Sequence, residues 1–463
     1  MAAEHPLARA LNAFTEFHGQ LDRLIGGGLS LRSAALLQSN YSQGAITHLL
    51  RTRHVPDEFC SQWDAHILAF WEKHLDRTCS GLIWQRMTLP RRDGGLGVQT
   101  ARLRRNAAFV GAFETSLPSI AESLRICSAA EFAVACPRLV AELRASGAAL
   151  AQQQQSNFQF SLEACFTQAF RSRQSEHMLE IHKANLTTLL GELSEMDRAD
   201  LRSAGGQLAG AFLETPPDGC NLQIPNAHFR TAVRRRLCMP HPGFEASPSR
   251  STPSTQCKHY ATRARGINFC GEDLDRFGRH AGGCLTQGLH KIWHNHIRDW
   301  LVKWIAEQTG RPVLPEPKVP EWNYPQDGRT VEAQLDGGFS DRRGGLVYFD
   351  VSVVSATTPG MDAAVLRNHA ATDGGAAARG VQAKRRKYPP GKHPRATLVP
   401  FVLEGLGRPS EQALDLIRSV APTTMSARAI AIRGAYYELS TLLALRQAEL
   451  LLSAEGGHTE VPR

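Results

Sequence analysis

No stretch of this 463-residue chain stays apolar long enough to cross a bilayer; charge interrupts every hydrophobic run within about a dozen residues, which excludes helical membrane spans. The opening residues, MAAEHPLARALNAF, lack an apolar core followed by a small-residue cleavage site, so the expectation is a nuclear or cytoplasmic protein that is not secreted. No fixed-period repeat is present, which argues against a solenoid. No two aspartates are adjacent, so the paired-aspartate box that holds two metal ions for nucleotide addition is missing. Ten cysteines are scattered without any CxC or CxxC pair, which points to reduced thiols rather than a disulfide framework.

What is present is ample core material and excess positive charge. A 42% hydrophobic content over this length suits two or three domains. A net charge of +9 favours an anionic partner. The first 145 residues read as helices: Leu7, Leu11, Phe14, Phe17 and Leu21 recur at helical spacing, and Trp63, Phe70, Trp71 and Trp84 are expected in a core. A helical segment over 146–217 follows, then a basic linker with Cys and His over 218–288. An α/β region over 289–422 and a C-terminal amphipathic helix and tail over 423–463 complete the expected organisation. Within the linker, Asn226 to Leu237 is a basic helix carrying Arg234, Arg235 and Arg236, followed by a Pro/Ser-rich stretch from Pro240 to Thr255. That excess of cations fits a nucleic-acid contact surface or a flexible basic linker.

The most informative stretch is Gln334 to Val354, QLDGGFSDRRGGLVYFDVSVV. Leu346 to Val354 is β-branched and aromatic, as a buried strand requires, and Asp350 sits in its middle. Strand alternation points its carboxylate away from the face used by Phe349 and Val351. Asp336 holds a similar place in the shorter run from Val331 to Phe339. An ionised acid in such a strand must be paired, hydrogen-bonded or bound to a cation. Two acids on adjacent strands can converge on one divalent ion, and oxygen ligands suit Mg²⁺. Downstream, Gly380 to Arg395 supplies Lys384, Arg385, Arg386 and Lys387 among six cations with no acid. One lysine there can orient a water, and Arg385 and Arg386 can hold phosphates.

A second cluster, Cys270, His280 and Cys284, has nine and then three intervening residues, with Cys257 or His259 available as a fourth ligand. Thiolates and imidazole at such spacing suit tetrahedral Zn²⁺.

These motifs together resemble the C-terminal part of the non-LTR retrotransposon polyproteins, whose restriction-like endonuclease is a branch of the PD-(D/E)XK nucleases. Leu335-Asp336, thirteen residues, then Asp350-Val351-Ser352-Val353 resembles that family's (K/R)PD and DV(S/T)V motifs. Leu335 stands where the family has proline, Gln334 where it has a basic residue, and Ser352 where the usual lysine would be. DRFGRHAGGC resembles the family's DxxGDHAxxC knuckle, and Trp293-His294-Asn295 its RHN helix start. Leu89 to Val98 is similar to the LPxxxGGLG segment just downstream of the polymerase. The resemblance implies a multidomain chain, mainly α in its N-terminal half, with a C-terminal α/β PD-(D/E)XK domain over 289–422. It implies Mg²⁺ on Asp336 and Asp350, Lys384 or Lys387 as the catalytic lysine, and Zn²⁺ at Cys257, Cys270, His280 and Cys284. His294 and Asn295 would contact DNA or cap the fold. DNA is the implied substrate, with element RNA as a second partner and no membrane. Cleavage would serve target-primed reverse transcription, with no reverse transcriptase activity in this chain. The alternative is a catalytically inactive nucleic-acid-binding remnant.

Overall fold

The computed structural model describes residues 5–168, 170–171, 173–216, 223–245, 256–263, 266–286 and 288–455. Most of the Pro/Ser-rich stretch lies outside them. Contacts divide the chain into two compact units, one comprising Met1–Pro90 and Leu96–Glu192, the other Arg91–Gly95 and Leu193–Arg463.

The first unit is helical. Its elements are α1 Pro6–Gly26, α2 Leu31–Thr52, α3 Asp57–Leu75, α4 Gly81–Thr88, α5 Ala101–Leu124, α6 Ala129–Ala135, α7 Pro137–Gln154, α8 Leu162–Thr167 and α9 Arg173–Glu192. Side-chain caps set several starts. Ser30 accepts from Ser33 N at 3.1 Å, and both carboxylate oxygens of Asp64 accept from the first amides of α5, Ala101 N at 2.6 Å and Arg102 N at 3.1 Å. Phe14 stacks on Trp63 with ring centroids 3.8 Å apart, and both are fully buried, so the aromatic stripe is core. Ser146, expected near a boundary, is instead buried inside α7, a continuous helix packed on α5 and α9.

The second unit is α/β. It contains α10 Glu195–Ser203, α11 Asn226–Arg236, β1 Tyr260–Arg263, β2 Gly266–Phe269, α12 Arg279–Gly283, α13 Leu289–Thr309, β3 Leu314–Pro315, β4 Tyr324–Gln326, β5 Arg329–Val331 and β6 Gly337–Ser340. It continues with β7 Leu346–Val354, α14 Ala363–Ala371, α15 Gly375–Lys387, β8 Ala396–Glu404, α16 Glu411–Val420 and α17 Met425–Ala454. The main sheet is mixed, in the order β3-β6-β7-β8, with β6 antiparallel and β8 parallel to β7. Two helices, α14 and α15, precede β8, separated where Gly374 takes a left-handed conformation at φ 74°.

Alternation along β7 decides what each face meets. Phe349 and Val351 join Phe401 and Leu403 of β8 in a core with Ile297, Leu301 and Trp304 of α13, Ile417 of α16 and Leu439 of α17. The opposite face carries Val354 and Val402, against which Ala377 and Val381 of α15 pack. The approach is close: a Cβ on Gly380 would lie 2.8 Å from Val402 Cγ1, so glycine is required there. Asp350 belongs to this second face, beneath α15.

Candidate active site and metal-ligating clusters

Asp336 immediately precedes β6, and its amide donates to Phe349 O at 3.1 Å, locking it beside the middle of β7. Its Oδ2 accepts from Val351 N at 2.6 Å and its Oδ1 meets His294 Nε2 of α13 at 2.9 Å. Asp350 lies one residue from that amide, between Phe349 and Val351. Both are buried. Lys384 Nζ reaches Asp350 Oδ2 at 2.6 Å from α15. Among the described residues that oxygen has no other polar partner.

Burial pushes the Asp350 carboxyl up to about 6, with the neighbouring Asp336 acting in the same direction against the pull of Lys384. Burial acts on Asp336 too, but hydrogen bonding and charge from His294, then the Val351 amide, hold it below the ordinary carboxylate range. Two adjacent buried carboxyls, one of them met by a single lysine, are a donor set suited to a hard divalent cation.

The helical spacing of Ala377, Val381 and Lys384 places these three on the sheet-facing side of α15. Lys387 lies off that stripe. Its ammonium sits 4.6 Å from the Tyr324 ring centroid and 5.0 Å from that of Tyr388, so it is committed to aromatic faces rather than to the acids. Burial would lower Lys387, but its contacts to the two tyrosines raise it above the ordinary lysine value. Leu335 is buried against Trp322 and Tyr388, a packing role. Arg385 and Arg386 are exposed, and Asn295 is half-buried. His294 was expected to contact DNA or cap the fold; it touches Asp336 directly.

Arg234, Arg235 and Arg236 do not form the expected nucleic-acid surface. All three are buried, because α11 packs along α17 rather than projecting from a linker. Arg235 Nη2 binds Asp200 Oδ1 at 2.7 Å, while Arg236 donates to the carbonyls of Gly95 at 3.0 Å, Ala209 at 3.1 Å and Arg91 at 2.6 Å. With Nε, Nη1 and Nη2 each donating to a carbonyl, Arg236 is unavailable to a phosphate.

Cys257, Cys270, His280 and Cys284 come together with all ligand atoms within 4.8 Å of one another, a group able to hold a metal ion. The unforeseen β1–β2 hairpin is responsible. It folds the chain back so that Cys257 before β1 meets the turn after β2, with Gly271 N donating to Cys257 O at 3.1 Å and Cys270 N to His259 O at 2.7 Å. Two cysteines distant in sequence thereby replace a CxxC pair. The turn into α12 supplies the rest: Asp275 Oδ2 accepts from His280 N at 2.8 Å, orienting the imidazole so that Nε2 lies 3.4 Å from Cys270 Sγ. Cys257 and Cys284 have their sulfurs 3.8 Å apart, and their mutual hydrogen bond raises Cys257 while lowering Cys284 toward thiolate. His259, the other candidate fourth ligand, lies outside this group: its Nε2 is 2.9 Å from both Leu450 O and Ser453 Oγ, and its side chain adjoins Cys284 and helps to lower that thiol.

A further group, Asp197, Asp200 and Cys238, is compact enough for an ion. Its carboxylates are already neutralised by Arg279 and Arg235, so it reads as an ion-pair network. No family model matches the chain, and no curated protein matches it in sequence.

Proposed function

We propose that the second unit is a Mg²⁺-dependent DNA endonuclease of the PD-(D/E)XK type, related to the endonuclease of non-LTR retrotransposons. The observation that carries this reading is the convergence of Asp336, Asp350 and Lys384 from β6, β7 and α15 on one buried spot. The mixed sheet with helices on both faces supports the fold assignment.

Asp336 and Asp350 would hold the ion, and such an ion supplies Lewis-acid stabilisation of the charge that develops on a phosphodiester. Lys384 would then orient the attacking water and offset charge on the phosphate. His294 fixes the orientation of Asp336 through Oδ1 while the Val351 amide fixes Oδ2. The exposed Arg385 and Arg386 at the end of α15 would meet the DNA backbone. Zn²⁺ is the ion proposed for Cys257, Cys270, His280 and Cys284, because three sulfurs and an imidazole prefer a borderline-soft cation.

A second reading, an inactive nucleic-acid-binding remnant, is favoured by the engagement of both Asp336 oxygens with protein donors. Nicking of supercoiled plasmid in Mg²⁺ separates the two. The endonuclease reading expects nicking by the wild type and none by Asp350→Ala; equal activity in both, or none in either, rejects it.

A further inference from the structure

The second unit contains a charged cavity that the acidic pair does not use. Its volume is about 140 Å³, and it lies where β7 and β8 end, between residues 353–357, Gly405 and the glycines of α12. Ligand crevices commonly form beyond the carboxyl ends of parallel strands. Three guanidiniums, from Arg235, Arg279 and Arg446, line it against a single carboxylate, that of Asp200.

Asp200 is fully engaged. Its Oδ1 accepts from Arg235 Nη2 and from Thr357 Oγ1, each at 2.7 Å, and its Oδ2 accepts from Arg279 Nε at 2.9 Å. Arg279 also donates to Asp197 at 2.5 Å. Among the described residues the third guanidinium, that of Arg446, makes no ion pair with a carboxylate. That residue is 3% exposed. Its Nη2 hydrogen-bonds His290 Nδ1 at 2.9 Å, and its Nη1 is buried with no partner among the described residues. Nε and Nη1 of Arg235 are likewise buried and unpartnered. Burial lowers Arg446 only to about 10, so it is charged at neutral pH. An isolated buried charge is costly unless something of opposite sign completes it.

We propose that this cavity binds a phosphate-class oxyanion, drawn by the charge of Arg446 with Arg235 beside it in the lining. Planar forked donors match tetrahedral oxyanions, and the cavity is large enough for one such group but not for a nucleoside. The anion has two chemical sources, a small free phosphate or the terminal phosphate of a nucleic-acid strand. The site is independent of Asp336 and Asp350 and stands or falls separately from the nuclease reading.

Equilibrium dialysis of the full chain with radiolabelled inorganic phosphate, in chloride at constant ionic strength and without divalent metal, tests it. Saturable binding of one phosphate per chain is expected, weakened at least tenfold in Arg446→Met. Arg446→Lys keeps the charge but loses the fork, and is expected to bind more weakly than wild type should the methionine variant fail to fold. Displacement by a 5′-phosphorylated oligonucleotide but not its 5′-hydroxyl counterpart would assign the site to a strand end. Displacement by neither would assign it to a small phosphate. No saturable binding by the wild type, wild-type affinity in both variants, or equal displacement by both oligonucleotides would overturn the proposal.

Discussion

Lys384 Nζ lies 2.6 Å from Asp350 Oδ2, joining the sheet-facing side of α15 to the middle of β7. Lys387, one turn further on, is held over Tyr324 and Tyr388 instead. Lys384→Met is therefore expected to lower plasmid nicking by about 100-fold or more, as loss of a group acting on transition-state charge does. Lys387→Met should cost under about threefold by the same reasoning. Parallel rate measurements on folded variants check the pair, and the reverse ranking would reassign the lysine.

Removing Asp200 should cost stability rather than DNA affinity. Asp200→Asn leaves Arg235 and Arg279 without their shared buried carboxylate, a loss of roughly 3–5 kcal/mol. Urea unfolding measures it; a loss below about 1 kcal/mol would mean that the network contributes little.

Charge reversal at Arg385 and Arg386 should act in the opposite way. Both are exposed, so Arg385→Glu with Arg386→Glu is expected to leave the melting temperature nearly unchanged and to flatten the salt dependence of DNA binding. An unchanged slope of log affinity against log salt would remove these residues from the proposed interface.

The Cys257, Cys270, His280 and Cys284 group should copurify with one zinc ion per chain, by elemental analysis. Chelation is expected to lower the melting temperature, and Cys270→Ser to reproduce that drop without chelator, because binding to a folded site stabilises it. His259→Ala should leave the metal content unchanged, since that ring faces Leu450 O and Ser453 Oγ.

His18 gives the first unit a pH signature. Burial, then the nearby His66, lowers it to about 4, and its Nε2 is buried with no hydrogen-bond partner among the described residues. The folded value lies below the unfolded one, so its contribution to stability is complete above about pH 6.5 and is lost as pH falls toward 4. Urea midpoints at pH 7 and 4.5 should show a smaller decline in His18→Leu than in the wild type.

Periodicity made much of the second unit legible. The strand expected over Leu346–Val354 has the observed limits, because a β-branched run is a strong local signal. The two small hairpins, β1–β2 and β4–β5, were not legible. Each has strands of only three or four residues, too short to show alternation. That explains why the metal-ligating group looked incomplete: nearness of Cys257 to Cys270 comes from pairing across a hairpin, not from spacing. The spacing of Ala377, Val381 and Lys384 would have singled out Lys384 over Lys387 had the helix break at Gly374 been recognised. Arg234, Arg235 and Arg236 misled because a run of arginines carries the same sequence signal whether it meets solvent or buried carbonyls and a carboxylate.

The central claim is that Asp336 and Asp350 share one divalent cation beside Lys384. Anomalous scattering from crystals soaked in Mn²⁺, a spectroscopically visible substitute for Mg²⁺, tests it most directly. A single peak within coordination distance of both carboxylates, absent in Asp350→Asn, is the predicted result. Saturating Mn²⁺ with no peak between them, and the Lys384 ion pair unchanged, would contradict it.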